Sequence, residues 1–140
     1  MLHRKIQKTL AKKHRILIVE DEPLIAEDLA GFLVENDFEI AEIAHSFSDA
    51  IKHLKELKSD AAILDINLGH EEKDGINVGE FIRSQIDIPF IYLTSYSDKE
   101  ILNRAKQTRP DGYLLKPFDD RDVMTSLEIA LYNHLQKKKS

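Results

Sequence analysis

A doubly wound α/β domain with a five-stranded parallel sheet is the fold class this sequence predicts, and three observations predict it. From Arg15 onward, short apolar runs alternate with longer amphipathic stretches, the pattern of strands and helices wrapped on a parallel sheet. No repeat or low-complexity linker interrupts the alternation, and ILIV, AAILD, IPFIYLT and GYLL each end in, or are followed at once by, an acidic, hydroxyl or cationic residue. Ligands in open α/β sheets sit beyond the carboxyl ends of the strands, so those endings are where chemistry is expected.

Each element follows from local pattern. ILIV (16–19) is the first strand; Glu22 and Pro23 suit a helix start, and Ile25, Leu29, Phe32 and Leu33 recur at helical spacing to about Glu35. FEIAEIA (38–44) is the second strand, and Ser46 with Asp49 three residues on predicts a capping box for a helix to about Lys58. AAILD (61–65) is the third strand, followed by a loop rich in Gly and charge and a helix from about Gly75 to Gln85. IPFIYLT (88–94) is the fourth, with Pro89 at its start, where a missing ladder donor costs least. Asp98 opens a short polar helix to about Thr108, GYLL (112–115) is the fifth strand, and Asp119 opens a last helix with Val123, Leu127, Ala130, Leu131 and His134 in one stripe. Right-handed crossovers leave few topologies for five such units, of which the flavodoxin-like order 2-1-3-4-5 is the common one.

Composition bounds the rest. At 140 residues, with 42% hydrophobic and 32% charged residues, the chain reads as one soluble globular domain. No window approaches the roughly 18 consecutive apolar residues of a membrane span. There is no cysteine, which excludes disulfides, thiolate metal sites and Cys nucleophiles. The amino terminus lacks the apolar stretch of a secretory signal, so a cytoplasmic protein is expected. Net charge is −5, with Lys and Arg gathered mainly at the ends, which argues against a nucleic-acid-binding body, while the lack of a long apolar window leaves no membrane partner expected. The expected division is a basic arm over residues 1–13, a domain over 14–137 and a tail over 138–140. The arm reads as a solvated tail or frayed helix, contact with a polyanion being the alternative.

The strand endings converge. A strand that buried its carboxylate would be destabilised, so Asp65 is expected to emerge at a sheet edge open to water. With the first and third strands adjacent, Glu20, Asp21 and Asp65 share one mouth, where two carboxylates ~5 Å apart repel by about 3 kcal/mol at an effective dielectric of ~20. A hard divalent cation offsets such repulsion, and few oxygen ligands without Cys or a spaced His pair favour Mg²⁺ over Zn²⁺. Lys116 after the fifth strand can act as a point charge on a phosphoryl oxygen, and Thr94 after the fourth as a hydroxyl donor. Asp65 then reads as a carboxylate nucleophile of the kind that forms acyl phosphates.

From about Arg15 to Gln136, through ILIVEDE, AILDINL, DGI, IYLTSYS and GYLLKPFDD, the sequence resembles the response-regulator receiver domain of two-component signalling. The resemblance implies Asp65 as phosphoacceptor, Asp21 as direct Mg²⁺ ligand, Glu20 as acidic support for the metal's water shell and the Asn67 backbone carbonyl as a further ligand. It implies that Lys116 binds the phosphoryl group, with a cis bond to Pro117, and that Thr94 moves toward the phosphate as Tyr113 turns inward. It also implies a sensor histidine kinase or phosphotransfer protein as donor, and output through the face of helix four, strand five and helix five. Two features depart from the family's pattern. Asp65 and Asp74 are nine residues apart, further than usual and with no proline between them, and Glu20 stands where Asp is commoner.

Individual positions carry further expectations. Tyr96 is placed to screen a phosphoryl group from water, with loop support as the alternative. His70, Glu71 and Glu72 form either a solvated loop tip or a second cation site. Met124, Leu131 and Leu135 make a second stripe on the last helix, which either widens the core or forms a surface for a homodimer or another partner. The whole reads as a stand-alone receiver without an output domain, not an enzyme beyond its own aspartyl phosphorylation and dephosphorylation, whose effect comes through a separate output protein, through passing the phosphoryl group onward, or through a longer parent chain. A small aspartyl-nucleophile phosphatase or phosphotransferase of the haloacid dehalogenase kind is one rival, although EDEPL lacks the Thr of its DxDxT motif. A receiver-like binding module that is never phosphorylated is the other.

Overall fold

The computed structural model describes residues 12–69, 72–96 and 98–139. Ten elements alternate: β1 Arg15–Val19, α1 Pro23–Glu35, β2 Glu39–Ala44, α2 Phe47–Lys55, β3 Ala61–Asp65, α3 Gly75–Gln85, β4 Phe90–Thr94, α4 Lys99–Gln107, β5 Gly112–Leu115 and α5 Asp120–Lys139. Every strand pairing is parallel and the order is β2-β1-β3-β4-β5, as the alternating pattern predicts.

The central strands are buried on both faces, which is why they read as continuous apolar runs. One core layer joins Leu17, Leu64, Phe90 and Tyr92 to α2 and α3; the other joins Ile16, Ile63 and Ile91 to α1 and α5. On α1 the buried residues are Ala26, Leu29 and Leu33, while Phe32 and Ile25 are half-buried. The buried stripe thus takes in Ala26, which the predicted stripe lacks because the residue is too small to stand out in the apolar pattern.

Helix caps agree in part with the sequence. Ser46 Oγ accepts from the Asp49 N–H at 3.2 Å, but Asp49 turns toward His53, 3.6 Å away, so half of the expected box forms. A reciprocal box forms at α3 instead: Asp74 Oδ1 accepts from Ile76 N–H and Asn77 N–H, and Asn77 Oδ1 accepts from Asp74 N–H at 2.8 Å. In α5, Val123, Leu127, Ala130 and Leu131 are buried as expected. His134 lies at the margin, with Nε2 3.6 Å from Asp87 Oδ1 and no hydrogen-bond partner. The second stripe divides: Leu131 and Met124 pack against the core and Leu135 is exposed.

Candidate functional site

The carboxyl ends of β1, β3, β4 and β5 meet at one rim of the sheet. Glu20 and Asp21 follow β1, Asp65 ends β3, Thr94 ends β4 and Lys116 follows β5. Ligand oxygens of Glu20, Asp21 and Asp65 all lie within 4.8 Å of one another. Lys116 Nζ donates to Asp65 Oδ2 and to Glu20 Oε1, each at 3.1 Å. Residues from three strand ends are thereby joined, and Lys116 is 96 positions from Glu20.

Burial corrects one expectation. Asp65 does not stand open to water at a sheet edge: β3 is the central strand and Asp65 is 5% exposed, beside Glu20 at 3%. The Lys116 ion pair and an Asn67 N–H donated to Asp65 Oδ1 at 3.1 Å offset the cost of that burial. The electrostatics record how incomplete the offset is. Burial and then the neighbouring Asp65 push the Glu20 carboxyl above its ordinary range, and burial with Glu20 does the same to Asp21. Burial pulls the Lys116 ammonium down, but Asp65 and Glu20 together outweigh it and raise its pKa.

The surrounding loops hold these groups in place. Gly69 adopts φ 79°, and a Cβ there would come within 3.2 Å of Asp21 Oδ2, so the turn after β3 packs against the acidic cluster. Gly75 lies against the Asp65 backbone carbonyl, where any side chain would collide. His70 and Glu71, named as a loop tip or second cation site, lie outside the described residues, as does most of the basic arm. The Lys116–Pro117 bond is cis, as the resemblance implies.

On the other flank, Thr94 is fully buried and its Oγ1 accepts from the Tyr96 N–H at 3.0 Å, which leaves the hydroxyl proton available to another acceptor. The Tyr113 hydroxyl donates to the Tyr96 carbonyl at 2.9 Å, and its ring packs edge-on to Tyr92. Tyr96 itself is 36% exposed. Sequence reasoning missed Arg104 on α4, which forms a two-pronged pair with Asp74 (Nη1 to Oδ2 2.9 Å, Nη2 to Oδ1 3.3 Å). The local pattern shows Arg104 only as one more charge on a polar helix.

Comparison with known proteins agrees with this geometry. The family model described as response regulator receiver domain matches residues 16–128. The transcriptional regulatory protein PdtaR of Mycobacterium tuberculosis is 34% identical over 121 residues, covering 86% of this chain and 58% of PdtaR. The DNA-binding response regulator MtrA of Mycolicibacterium smegmatis is 29% identical over 119 residues, covering 85% of this chain and 51% of MtrA. The chain thus spans little more than half the length of these relatives. Among solved structures, the signal receiver domain of a modulated diguanylate cyclase from Desulfovibrio desulfuricans superposes with a TM-score of 0.84 at 28% identity, covering 90% of this chain and 99% of that one. The receiver domain of PhyR from Erythrobacter litoralis superposes with a TM-score of 0.75 at 31% identity, covering 86% and 91%.

Proposed function

Because the chain belongs to the response regulator receiver family, we propose that it is a Mg²⁺-dependent phosphoacceptor switch. Asp65 receives a phosphoryl group from a sensor histidine kinase or phosphotransfer protein, and the phosphorylated state is read by an output partner at the α4–β5–α5 face. The observation that carries this reading is the Lys116 ammonium, held 3.1 Å from Asp65 Oδ2 and from Glu20 Oε1 at once. An ammonium already directed at one carboxylate oxygen is placed to meet the charge of a phosphoryl group built on it.

The donor set fits a small hard dication. Three carboxylates offer oxygens within 4.8 Å, and burial first, then the neighbouring carboxylate, raises the proton affinities of Glu20 and Asp21. Glu20, Asp21 and Asp65, with the backbone carbonyl of Asn67, would hold Mg²⁺. When bound, Mg²⁺ supplies charge neutralisation for the carboxylates and for the oxygens of the transferred group.

The chain's own residues do the rest. An Asp65 carboxylate oxygen attacks phosphorus, the phosphorus–nitrogen bond of the donor's phosphohistidine breaks, and the electron pair returns to the imidazole. Lys116 moves its contact from the carboxylate to a phosphoryl oxygen, and the Thr94 hydroxyl donates to another. Thr94 and Tyr113 both touch Tyr96, by the Tyr96 N–H and the Tyr96 carbonyl respectively, so movement of Thr94 is felt at α4 and β5. Phosphorylation then selects one arrangement of the α4–β5–α5 face. The activity belongs in the cytoplasm, and no described helix is long and apolar enough to cross a membrane.

Incubation with acetyl phosphate and Mg²⁺, followed by mapping of the acid-labile adduct, tests the reading. The adduct is expected on Asp65 and absent from Asp65→Asn. No adduct, together with no response to beryllofluoride and Mg²⁺, would favour the binding module that is never phosphorylated.

A further inference from the structure

The two ends of α4 are held to the rest of the domain by different means. It is a polar helix, with Ala105 buried and Ile101 half-buried against the core, so apolar burial fixes it weakly. At its amino-terminal end Asp98 accepts from the Ile101 N–H at 3.0 Å, a contact local to the helix itself. The Arg104 pair with Asp74, further along, is largely solvated.

The carboxyl-terminal end is fastened from two sides. Tyr92 on β4 is fully buried, and its hydroxyl lies 2.7 Å from Oγ1 of Thr108, the residue that caps this end of α4 and is 3% exposed. Thr108 Oγ1 donates its own proton to the Ala105 carbonyl at 2.7 Å, so the Tyr92 hydroxyl is the donor between the two. Burial pushes the Tyr92 phenol above its ordinary range, which keeps that proton in place. From α3, Arg83 Nε donates to the Thr108 carbonyl at 2.9 Å and Nη2 donates to the Arg109 carbonyl. Gly79, in the middle of α3, makes room for the Tyr92 hydroxyl, since a Cβ there would collide with that oxygen. A glycine inside a helix is destabilising, so the space is kept at a cost that the hydroxyl's hydrogen bond offsets.

The same tyrosine borders the switch residues. Tyr92 and Tyr113 are partners in the β4–β5 register, and their rings meet edge-on with centroids 6.1 Å apart. Tyr113 donates to the carbonyl of Tyr96, which precedes α4, and the Tyr96 N–H donates to Thr94. Movement of Thr94 or Tyr113 therefore reaches α4 at its amino-terminal end, while the Tyr92 hydroxyl holds the other end to the sheet.

We propose that Tyr92, through Thr108, is a positioning residue that makes the carboxyl-terminal end of α4 a fixed pivot, about which the amino-terminal half of the helix moves when the switch changes state. The pivot rests on the reading of the chain as a phosphoacceptor switch. It adds to that reading which part of α4 a partner finds altered, residues 98–103 and not 105–109.

Two comparisons in the full chain test the pivot, the first of them independent of phosphorylation. Without ligand, amide hydrogen exchange over residues 105–109 should quicken about tenfold in Tyr92→Phe and in Thr108→Val, each of which removes the hydrogen bond and keeps the side chain's bulk. Exchange at 101–103 and in α3 should stay as in the unaltered chain. Quickening along the whole of α4, or none, would overturn the pivot. With beryllofluoride and Mg²⁺, amide NMR signals of the unaltered chain should shift at 98–103 and hold still at 105–109, and in Tyr92→Phe the shifts should extend to 105–109. Equal shifts along α4 in the unaltered chain would also overturn it, as would the same pattern in Tyr92→Phe. No change around Asp65 on adding beryllofluoride would count against the phosphoacceptor reading itself, and the exchange comparison would then decide the pivot alone.

Discussion

The Lys116 ammonium and the Asp65 carboxylate meet at 3.1 Å although 51 positions separate them in the chain. Their contact neutralises part of a charge that the sheet gathers by construction, since β1 and β3 are neighbours, β1 leads into Glu20 and Asp21, and β3 ends in Asp65. Lys116→Met should therefore expose the underlying repulsion. Because the Lys116 side chain keeps 20% of its surface exposed, the cost is expected below that of a fully buried pair, at about 2 kcal/mol at pH 7. Urea unfolding in EDTA at pH 7 measures it, and no loss would mean that the carboxylates are already offset without the ammonium.

The acids themselves set a pH dependence. Glu20 and Asp21 titrate above their ordinary ranges in the folded chain, so each binds its proton more tightly when folded. Their stabilising contribution is complete below the ordinary carboxylate range and is lost as pH rises through the raised folded values. Lys116, also raised, contributes below its ordinary value and loses its contribution only at alkaline pH. Without divalent ions, the melting temperature should rise as pH falls from 7 toward 5, and should rise less in Glu20→Gln, which removes the Glu20 share of that dependence. A wild-type profile parallel to that of Glu20→Gln would contradict the assignment.

Magnesium should reverse that effect at neutral pH. At a concentration ten times its dissociation constant, a ligand specific to the folded state stabilises it by about 1.4 kcal/mol. Thermal melts with and without Mg²⁺ should differ at pH 7, differ less at pH 5 where protons compete, and not differ in Asp21→Asn. Equal shifts in wild type and Asp21→Asn would place the ion elsewhere.

Asp74 has two partners, and mutation separates them. It caps α3 through Ile76 and Asn77 and pairs with Arg104 on α4. Asp74→Ala should cost about 1–2 kcal/mol, as loss of a helix cap does. Arg104→Ala, which removes only a largely solvated ion pair, should cost about 0.5 kcal/mol. Chemical denaturation of both variants and of the double mutant gives the coupling, and equal costs would assign the effect to the ion pair.

Tyr96 and Tyr113 are joined by a hydroxyl-to-carbonyl bond of 2.9 Å. Tyr113→Phe removes that bond at little cost, about 0.5–1 kcal/mol, because the carbonyl can turn to water. Tyr96→Ala should shorten the lifetime of the phosphoryl group on Asp65, since the ring is expected to screen it. An unchanged lifetime, read from loss of the acid-labile adduct, would leave Tyr96 with loop support alone.

Element order, strand direction and the identity of the strand-end residues are legible along the chain, because apolar runs, helical spacing and turn residues act over a few positions. ILIV, AAILD and GYLL each carry that local record, and the motifs around Glu20, Asp65, Thr94 and Lys116 follow from it. Distances between side chains do not, because they depend on where the backbone returns. Nothing near Asp65 announces that it is 5% exposed and not open to water, since its counter-ion enters from the turn after β5. The box at Asp74 and its Arg104 partner, 30 positions away, are invisible for the same reason, while Ser46 and Asp49 promised a box of which only half forms. Pattern is a property of neighbours in sequence; charge compensation is a property of neighbours in space, and packing five strands side by side brings the second into being.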